Sequence, residues 1–269
     1  MSYHSPASEV PCFGGNTTCL TLESEGEVLI LDAGTGILSL EKELKNKYPD
    51  YPMGVPDLVV LLSHLHLDHI IGLSAFTPIC HKEVKMSLYS FSHDDRPIKE
   101  QIFGVFRPPY WPVIIAEANV DCISISEGIS FNIGSLTVLP FAAAHADNTY
   151  NFYITNGKSS VVYLIDCEIA ALRPDSYQKL VGICKDADVI VFDAAYSPED
   201  YEKRRGWGHS TYEDGVKLAF EANCKYMLFT HYSPEYESDE INRWSRDLES
   251  RYPDKETFLF AKEGMELIF

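Results

Sequence analysis

Four side chains able to bind a metal fall within six residues, in the run His64-Leu65-His66-Leu67-Asp68-His69. Neutral imidazole nitrogens and carboxylate oxygens suit Zn²⁺ at roughly 2.0–2.2 Å, and they also serve Mn²⁺ or Fe²⁺. Three imidazoles and a carboxylate at this spacing can hold two cations side by side. Residues 57–62, just before the first histidine, are mostly apolar and predict a buried strand. The motif is therefore expected at the C-terminal end of a strand, where α/β proteins place their sites. A polar loop that happens to hold histidines would account poorly for four such residues in six.

Three further residues have the same placement. His145 follows an apolar run at 136–142, Asp166 follows one at 161–165, and His231 follows one at 226–230. A lone histidine at a strand end suits a hydrogen-bonded core position. Three such positions downstream of a double-histidine motif point instead to ligands. His64, His66 and His145 would hold one cation, and Asp68, His69 and His231 the other. Asp166 would bridge both through its two oxygens. Two metals about 3.5–4 Å apart would share a water, make it a hydroxide near neutral pH, and neutralise anionic charge on an electrophile.

The elements that must position these groups follow from patterning. Residues 17–22 and 28–31 predict a hairpin, 37–47 a helix and 58–62 a strand. Residues 74–118 carry five prolines and the aromatics Phe103, Phe106, Tyr110 and Trp111. They predict a loop-rich insertion with a short strand near 86–91. It suits a lid over the site or an ordinary surface excursion equally well, and residues 103–111 offer a homodimer contact. Strands are expected at 122–125, 129–132, 136–142, 150–155, 160–165, 189–192 and 226–230. Helices are expected at 172–185 and around Ile241, Trp244 and Leu248. A capping box with Ser210 at the cap and Glu213 three residues on opens another helix, which turns Tyr212, Val216, Ala219 and Phe220 inward. Runs 257–261 and 265–269 predict a closing hairpin. Two β-rich halves, each ending in helices, imply two sheets packed face to face with helices outside.

Composition narrows the class. The chain has 269 residues, 45% apolar and 23% charged, with a formal net charge of −18. It can bury a substantial core, and no repeat or linker divides it, so a single domain over 1–269 is expected. A surface this acidic repels phosphate backbones and anionic lipid, which disfavours a large nucleic acid or a membrane as partner. No N-terminal apolar run follows a basic segment, so no signal peptide is expected, and no apolar run approaches about 18 residues. The seven cysteines form no C-x-x-C pair. A cytoplasmic protein with reduced thiols is expected, most of them buried as small apolar groups.

With these residues in place, the chain resembles the metallo-β-lactamase fold hydrolases. The H-x-H-x-D-H signature is complete at 64–69, and His145, Asp166 and His231 match the later ligand motifs in order. The resemblance covers nearly the whole chain and implies a four-layer αββα sandwich. Asp193 in Val191-Phe192-Asp193-Ala194-Ala195-Tyr196, and His209 in Gly206-Trp207-Gly208-His209-Ser210-Thr211, are similar to the phosphodiesterase branch. That branch includes tRNase Z-like, cyclic-nucleotide and cyclic phosphoribosyl phosphodiesterase members. Gly14-Gly15-Asn16-Thr17-Thr18-Cys19 and Asp32-Ala33-Gly34-Thr35-Gly36 are similar to uncharacterised bacterial members of it. Two features depart from the pattern. Relatives usually carry a full first strand where this chain has about a dozen residues before Gly14, and residues 74–118 are not the long Gly/Pro arm with which tRNase Z grips tRNA.

The resemblance implies a dinuclear hydrolase of a small phosphodiester, of the cyclic nucleotide or cyclic phosphate type. It would use two divalent ions, Zn first and Mn or Fe next, and a metal-bridging hydroxide. Asp68, His209 and Asp193 are the catalytic candidates, Asp68 doubling as a ligand. His209 would clamp a phosphoryl oxygen or protonate the leaving alkoxide, with Asp193 fixing its tautomer. The bland alternatives are capping support for His209 and a carboxylate behind a ligand histidine for Asp193. Asp147 and Asn148 suit substrate orientation or a turn. Hydrolysis of a thioester or lactone, and a non-hydrolytic sensor or redox protein, stay open as other classes.

Overall fold

A computed structural model of the chain describes residues 13–112, 120–145, 148–253 and 257–269. The chain forms two compact units, one of residues 16–135 and one of residues 136–269 with 13–15.

The first unit is built on β1 (Leu20–Ser24), β2 (Glu27–Leu31), β3 (Leu58–Leu61), β4 (Met86–Phe91) and β5 (Val120–Ile125), hydrogen-bonded in that order. The expected β1–β2 hairpin forms, turning through Glu25 and Gly26, both at positive φ, as a two-residue hairpin loop requires. The remaining pairings are parallel. Parallel strands are covered on both faces, which explains the unbroken apolar runs of β2 and β3. Helix α1 (Ile37–Lys47) buries Ile37, Leu40 and Leu44, a three-and-four spacing that faces the core. A one-turn helix α2 (Leu67–Ile70), a helix α3 (Ile98–Phe103) and the short strand β6 (Phe131–Ile133) complete the unit.

The 74–118 segment differs from expectation. β4 lies in the interior of the sheet, between β3 and β5, rather than within loops. Phe103 and Phe106 are buried in the same core as Ile30, Val60 and Leu88, so neither is available to a dimer partner. Tyr110, by contrast, is exposed. The prolines mask a strand whose apolar residues alternate through Met86 and Leu88.

In the second unit, β7 (Leu136–Ala142), β8 (Tyr150–Thr155) and β9 (Ser160–Leu164) form an antiparallel meander. Parallel pairings then join β9 to β10 (Val189–Asp193), β10 to β11 (Tyr226–Thr230) and β11 to β12 (Phe258–Phe260). The crossovers carry α4 (Pro174–Cys184), a short α5 (Pro198–Tyr201) with α6 (Tyr212–Ala222), and α7 (Ser238–Arg251), as parallel strands demand. Its core gathers Val162, Leu164, Ile190, Phe192, Met227 and Phe229 with Val216, Ile241, Trp244 and Leu248.

The structure departs from three local expectations. The cap of α6 is Thr211, not Ser210, and the reciprocal partner is Asp214, not Glu213. The Ser210 hydroxyl is committed elsewhere, donating to the Cys167 carbonyl and accepting from the Ile169 N–H. Phe220 is 43% exposed, one position past the buried stripe of Val216 and Ala219. The closing hairpin does not form: α7 delivers β12 parallel to β11, and residues 265–269 are not a strand. Among the described residues no cysteine is in a disulfide, and no helix is long and apolar enough to cross a membrane. Cys167, Cys184 and Cys224 are buried, whereas Cys80 is exposed.

Candidate metal centre

In the first unit the histidine motif begins three residues past the end of β3. Its turn rests on the loop that follows β2. The Ala33 N–H donates to the His69 carbonyl (2.7 Å), and the Gly72 N–H donates to the Ala33 carbonyl (2.9 Å). Only glycine fits at 72, because a Cβ there would stand 2.0 Å from the Gly34 carbonyl oxygen. Asp32, fully buried and at φ +58°, projects from the same loop. Its Oδ2 accepts from His69 Nδ1 at 2.8 Å. Ser63 Oγ donates to Asp32 Oδ2 at 2.8 Å and stands 3.0 Å from His64 Nδ1. A hydroxyl has one proton, so Ser63 accepts from His64. The carboxylate accepts only, so His69 must donate. Both rings thus carry the proton on Nδ1, which leaves the Nε2 lone pair as the ligand atom. The His64 ring centroid lies 4.3 Å from that of His66 and 4.2 Å from that of His69, and His69 Nε2 is 3.7 Å from Asp68 Oδ2.

The second unit gathers its own set. Asp166 follows β9 at φ +49° and His231 follows β11 at φ +60°. With Asp32, they place three left-handed residues just past strand ends, the kind of backbone strain that collects at functional sites. Asp166 Oδ1 is 3.1 Å from His231 Nε2, and its Oδ2 is 3.8 Å from His145 Nε2. His145 donates from Nδ1 to the Gly208 carbonyl at 2.9 Å, which again leaves Nε2 as the basic nitrogen. Donors that share one cation at roughly 2.0–2.2 Å stand about 3–3.5 Å apart at tetrahedral or octahedral angles. The 3.1 Å separation to His231 falls within that spacing and the 3.8 Å separation to His145 lies slightly beyond it, one oxygen for each histidine. The donor set, imidazole plus carboxylate and no thiolate, fits a borderline-hard divalent ion.

His209 lies against this set. Its Nδ1 donates to Asp193 Oδ2 at 2.8 Å and is 3.8 Å from Asp166 Oδ1. Asp193 Oδ1 also stands 3.8 Å from His231 Nδ1 and accepts the Ala195 N–H at 3.0 Å. Asp166, Asp193, His209 and His231 each offer a ligand-type atom, and the four lie within 4.8 Å of one another. Burial works against the imidazolium of His209, but the Asp193 and Asp166 carboxylates outweigh it and raise the pKa to about 8. The Tyr196 ring meets that of His209 edge-on at 5.9 Å.

Several of these residues are not apparent in the sequence. Asp32 and Ser63 act behind the first histidines, and Glu168 acts behind His209. Glu168 is 3% exposed and accepts from the Gly206 N–H, the Gly208 N–H and the Tyr201 hydroxyl. Burial pushes its carboxyl up, yet these donors hold it below its ordinary value. The only sequence cue to Asp32 is an acid at a strand end before two glycines. Glu168 has no cue beyond its position two after Asp166. Asp147 lies outside the described residues, and Asn148 is exposed.

Comparison with known proteins gives a consistent picture. Residues 28–232 match the family described as the beta-lactamase superfamily domain. A ribonuclease BN of Cronobacter sakazakii is 22% identical over 249 residues, which covers 73% of this chain and 78% of that protein. A ribonuclease Z of Brevibacillus brevis is 36% identical over 71 residues, but that match covers 26% of this chain and 22% of the relative. Among solved structures, the metallo-beta-lactamase fold protein YhfI from Bacillus subtilis superposes with TM-score 0.68 at 19% identity, over 98% of this chain and 95% of its own. A diphosphatase from the PhnP family gives 0.66 at 18% identity, over 98% and 88%. The short form of human tRNase Z gives 0.64 at 17% identity, over 98% and 94%.

Proposed function

Because this chain belongs to the beta-lactamase superfamily and has the metallo-β-lactamase fold, two mixed sheets flanked by helices, we propose that it is a dinuclear metal-dependent phosphodiesterase acting on a small phosphodiester. His64, His66 and His145 would hold one divalent ion, Asp68, His69 and His231 a second, and Asp166 would serve both. Zn suits this donor set best, and Mn or Fe would be accepted by it. Such a pair, when bound, supplies Lewis-acid charge and an activated water.

The chain's own residues do the rest. Asp32, Ser63 and the Gly208 carbonyl hold the ligand histidines in one tautomer. Asp193 keeps a proton on His209 Nδ1, so Nε2 is the atom turned to chemistry. In the protonated ring, Nε2 carries the proton that passes to the leaving alkoxide. The observation that carries this reading is the 2.8 Å bond between His209 and Asp193 beside Asp166. A thioester or lactone hydrolase would have no need of a proton donor fixed in that way. The names of the relatives, two ribonucleases and a diphosphatase, support phosphoryl chemistry.

The test is hydrolysis of bis-p-nitrophenyl phosphate by His209→Ala. A loss of about 10²–10⁴-fold in kcat is expected, with the metal content unchanged. Unchanged turnover would refute the phosphodiesterase role. The ribonuclease relatives also favour an RNA substrate as a second reading, and parallel assays on a precursor tRNA and on 2′,3′-cyclic AMP distinguish the two.

A further inference from the structure

Between Gly206 and Gly208, Trp207 is 60% exposed. A single exposed aromatic is ordinary on a protein surface. This one differs in how firmly its backbone is held and in what that backbone touches. The N–H groups on either side of it, those of Gly206 and Gly208, both donate to the buried Glu168 carboxylate at 2.9 Å. The Trp207 N–H itself donates to the Arg204 carbonyl at 3.1 Å. Arg204 is in turn fixed by Glu235 and by Asp200, and its guanidinium lies over the Tyr196 ring at 5.1 Å. On the other side, the Gly208 carbonyl takes the His145 proton, and a Cβ at 208 would stand 1.9 Å from His145 Nδ1. His209 is two residues on. A large apolar ring is thus presented to solvent on a clamped loop that abuts both His145 and His209.

We propose that Trp207 is a stacking platform, and that this enzyme selects phosphodiesters bearing a planar aromatic group, such as a nucleobase, next to the scissile phosphate. The inference rests on the phosphodiesterase reading above. Its physical basis is simple. Indole offers the largest face of any side chain, and stacking against it tolerates any base. A loop immobilised before binding spends little further entropy on holding the ring in place. Tyr196 takes no part in the stacking: it is 6% exposed and already committed to the His209 edge.

The experiment compares 2′,3′-cyclic AMP with glycerol 1,2-cyclic phosphate, the same strained phosphodiester without a base, using metal-loaded wild type, Trp207→Ala and Trp207→Phe. The preference for the base-bearing substrate, as a ratio of kcat/KM values, should fall about tenfold in Trp207→Ala. The fall should come through KM, and Trp207→Phe should recover most of it. A second readout needs no turnover. AMP should quench the intrinsic tryptophan fluorescence of the wild type, ribose 5-phosphate should not, and Trp207→Phe should abolish the quench although Trp111 and Trp244 remain. An unchanged preference in Trp207→Ala, or the same quench in Trp207→Phe, overturns the proposal. A wild type that cleaves neither substrate yet shows the Trp207-dependent quench by AMP would contradict the phosphodiesterase reading and leave the aromatic subsite standing.

Discussion

His69 keeps its Nδ1 proton on Asp32 in a pair fully shielded from solvent, while Ser63 passes the same carboxylate's influence to His64. Such partners set ligand orientation and basicity, and their loss costs roughly 10–100-fold in metal affinity. Asp32→Ala should therefore lose metal on dialysis under conditions where wild type retains it, as read by elemental analysis. Equal retention would mean that Asp32 serves only the fold. Gly208→Ala should damage the second unit's set in a similar way, because φ +87° and the contact with His145 both exclude a side chain. The seven candidate ligands are legible in the sequence, four by spacing within one turn and three by following apolar strands. Asp32, Ser63 and Glu168 are not legible, because what they do depends on contacts 31 to 40 residues distant in the chain.

At the scale of elements, β4 shows where sequence patterning misleads. Prolines before and after it suggest loops, yet Leu88 is fully buried on an interior strand with parallel neighbours on both sides. Leu88→Ala should cost about 2–5 kcal/mol in urea denaturation; a cost near zero would return the strand to the periphery. Glu41, 6% exposed on α1, shows a different effect. Burial raises its carboxyl pKa, but Lys45, the Thr77 hydroxyl and the Thr77 N–H together hold it below the ordinary value. A group depressed in the folded state adds stability above its unfolded pKa of about 4.3 and loses it as pH falls through the folded value. Glu41→Gln should then be less stable than wild type at pH 7 by roughly 1–3 kcal/mol. The gap should narrow below about pH 4, as thermal melts across pH would show. The α6 cap illustrates why element ends are hard to read: Ser210 and Thr211 are equally good caps by type, and the choice is made by Ser210's tertiary bonds to Cys167 and Ile169.

For the molecule as a whole, the order of strands and helices follows from sequence periodicity in most places, because parallel strands flanked by crossover helices leave long apolar runs. The final strand is the exception. An apolar pair at 257–261 and 265–269 looks like a hairpin, and nothing local records that α7 returns the chain for parallel pairing. The net charge of −18 belongs to this scale too, and a surface this acidic repels a polyphosphate backbone more strongly than a single small anion. On the proposed function, two divalent ions make this chain a phosphodiesterase. The most direct test strips the protein with chelator and titrates Zn²⁺ or Mn²⁺ back while following bis-p-nitrophenyl phosphate hydrolysis. No turnover is expected in the stripped protein, and on titration a rise that saturates at two equivalents per chain. Turnover that survives the chelator, or that never appears at any loading, would contradict that function.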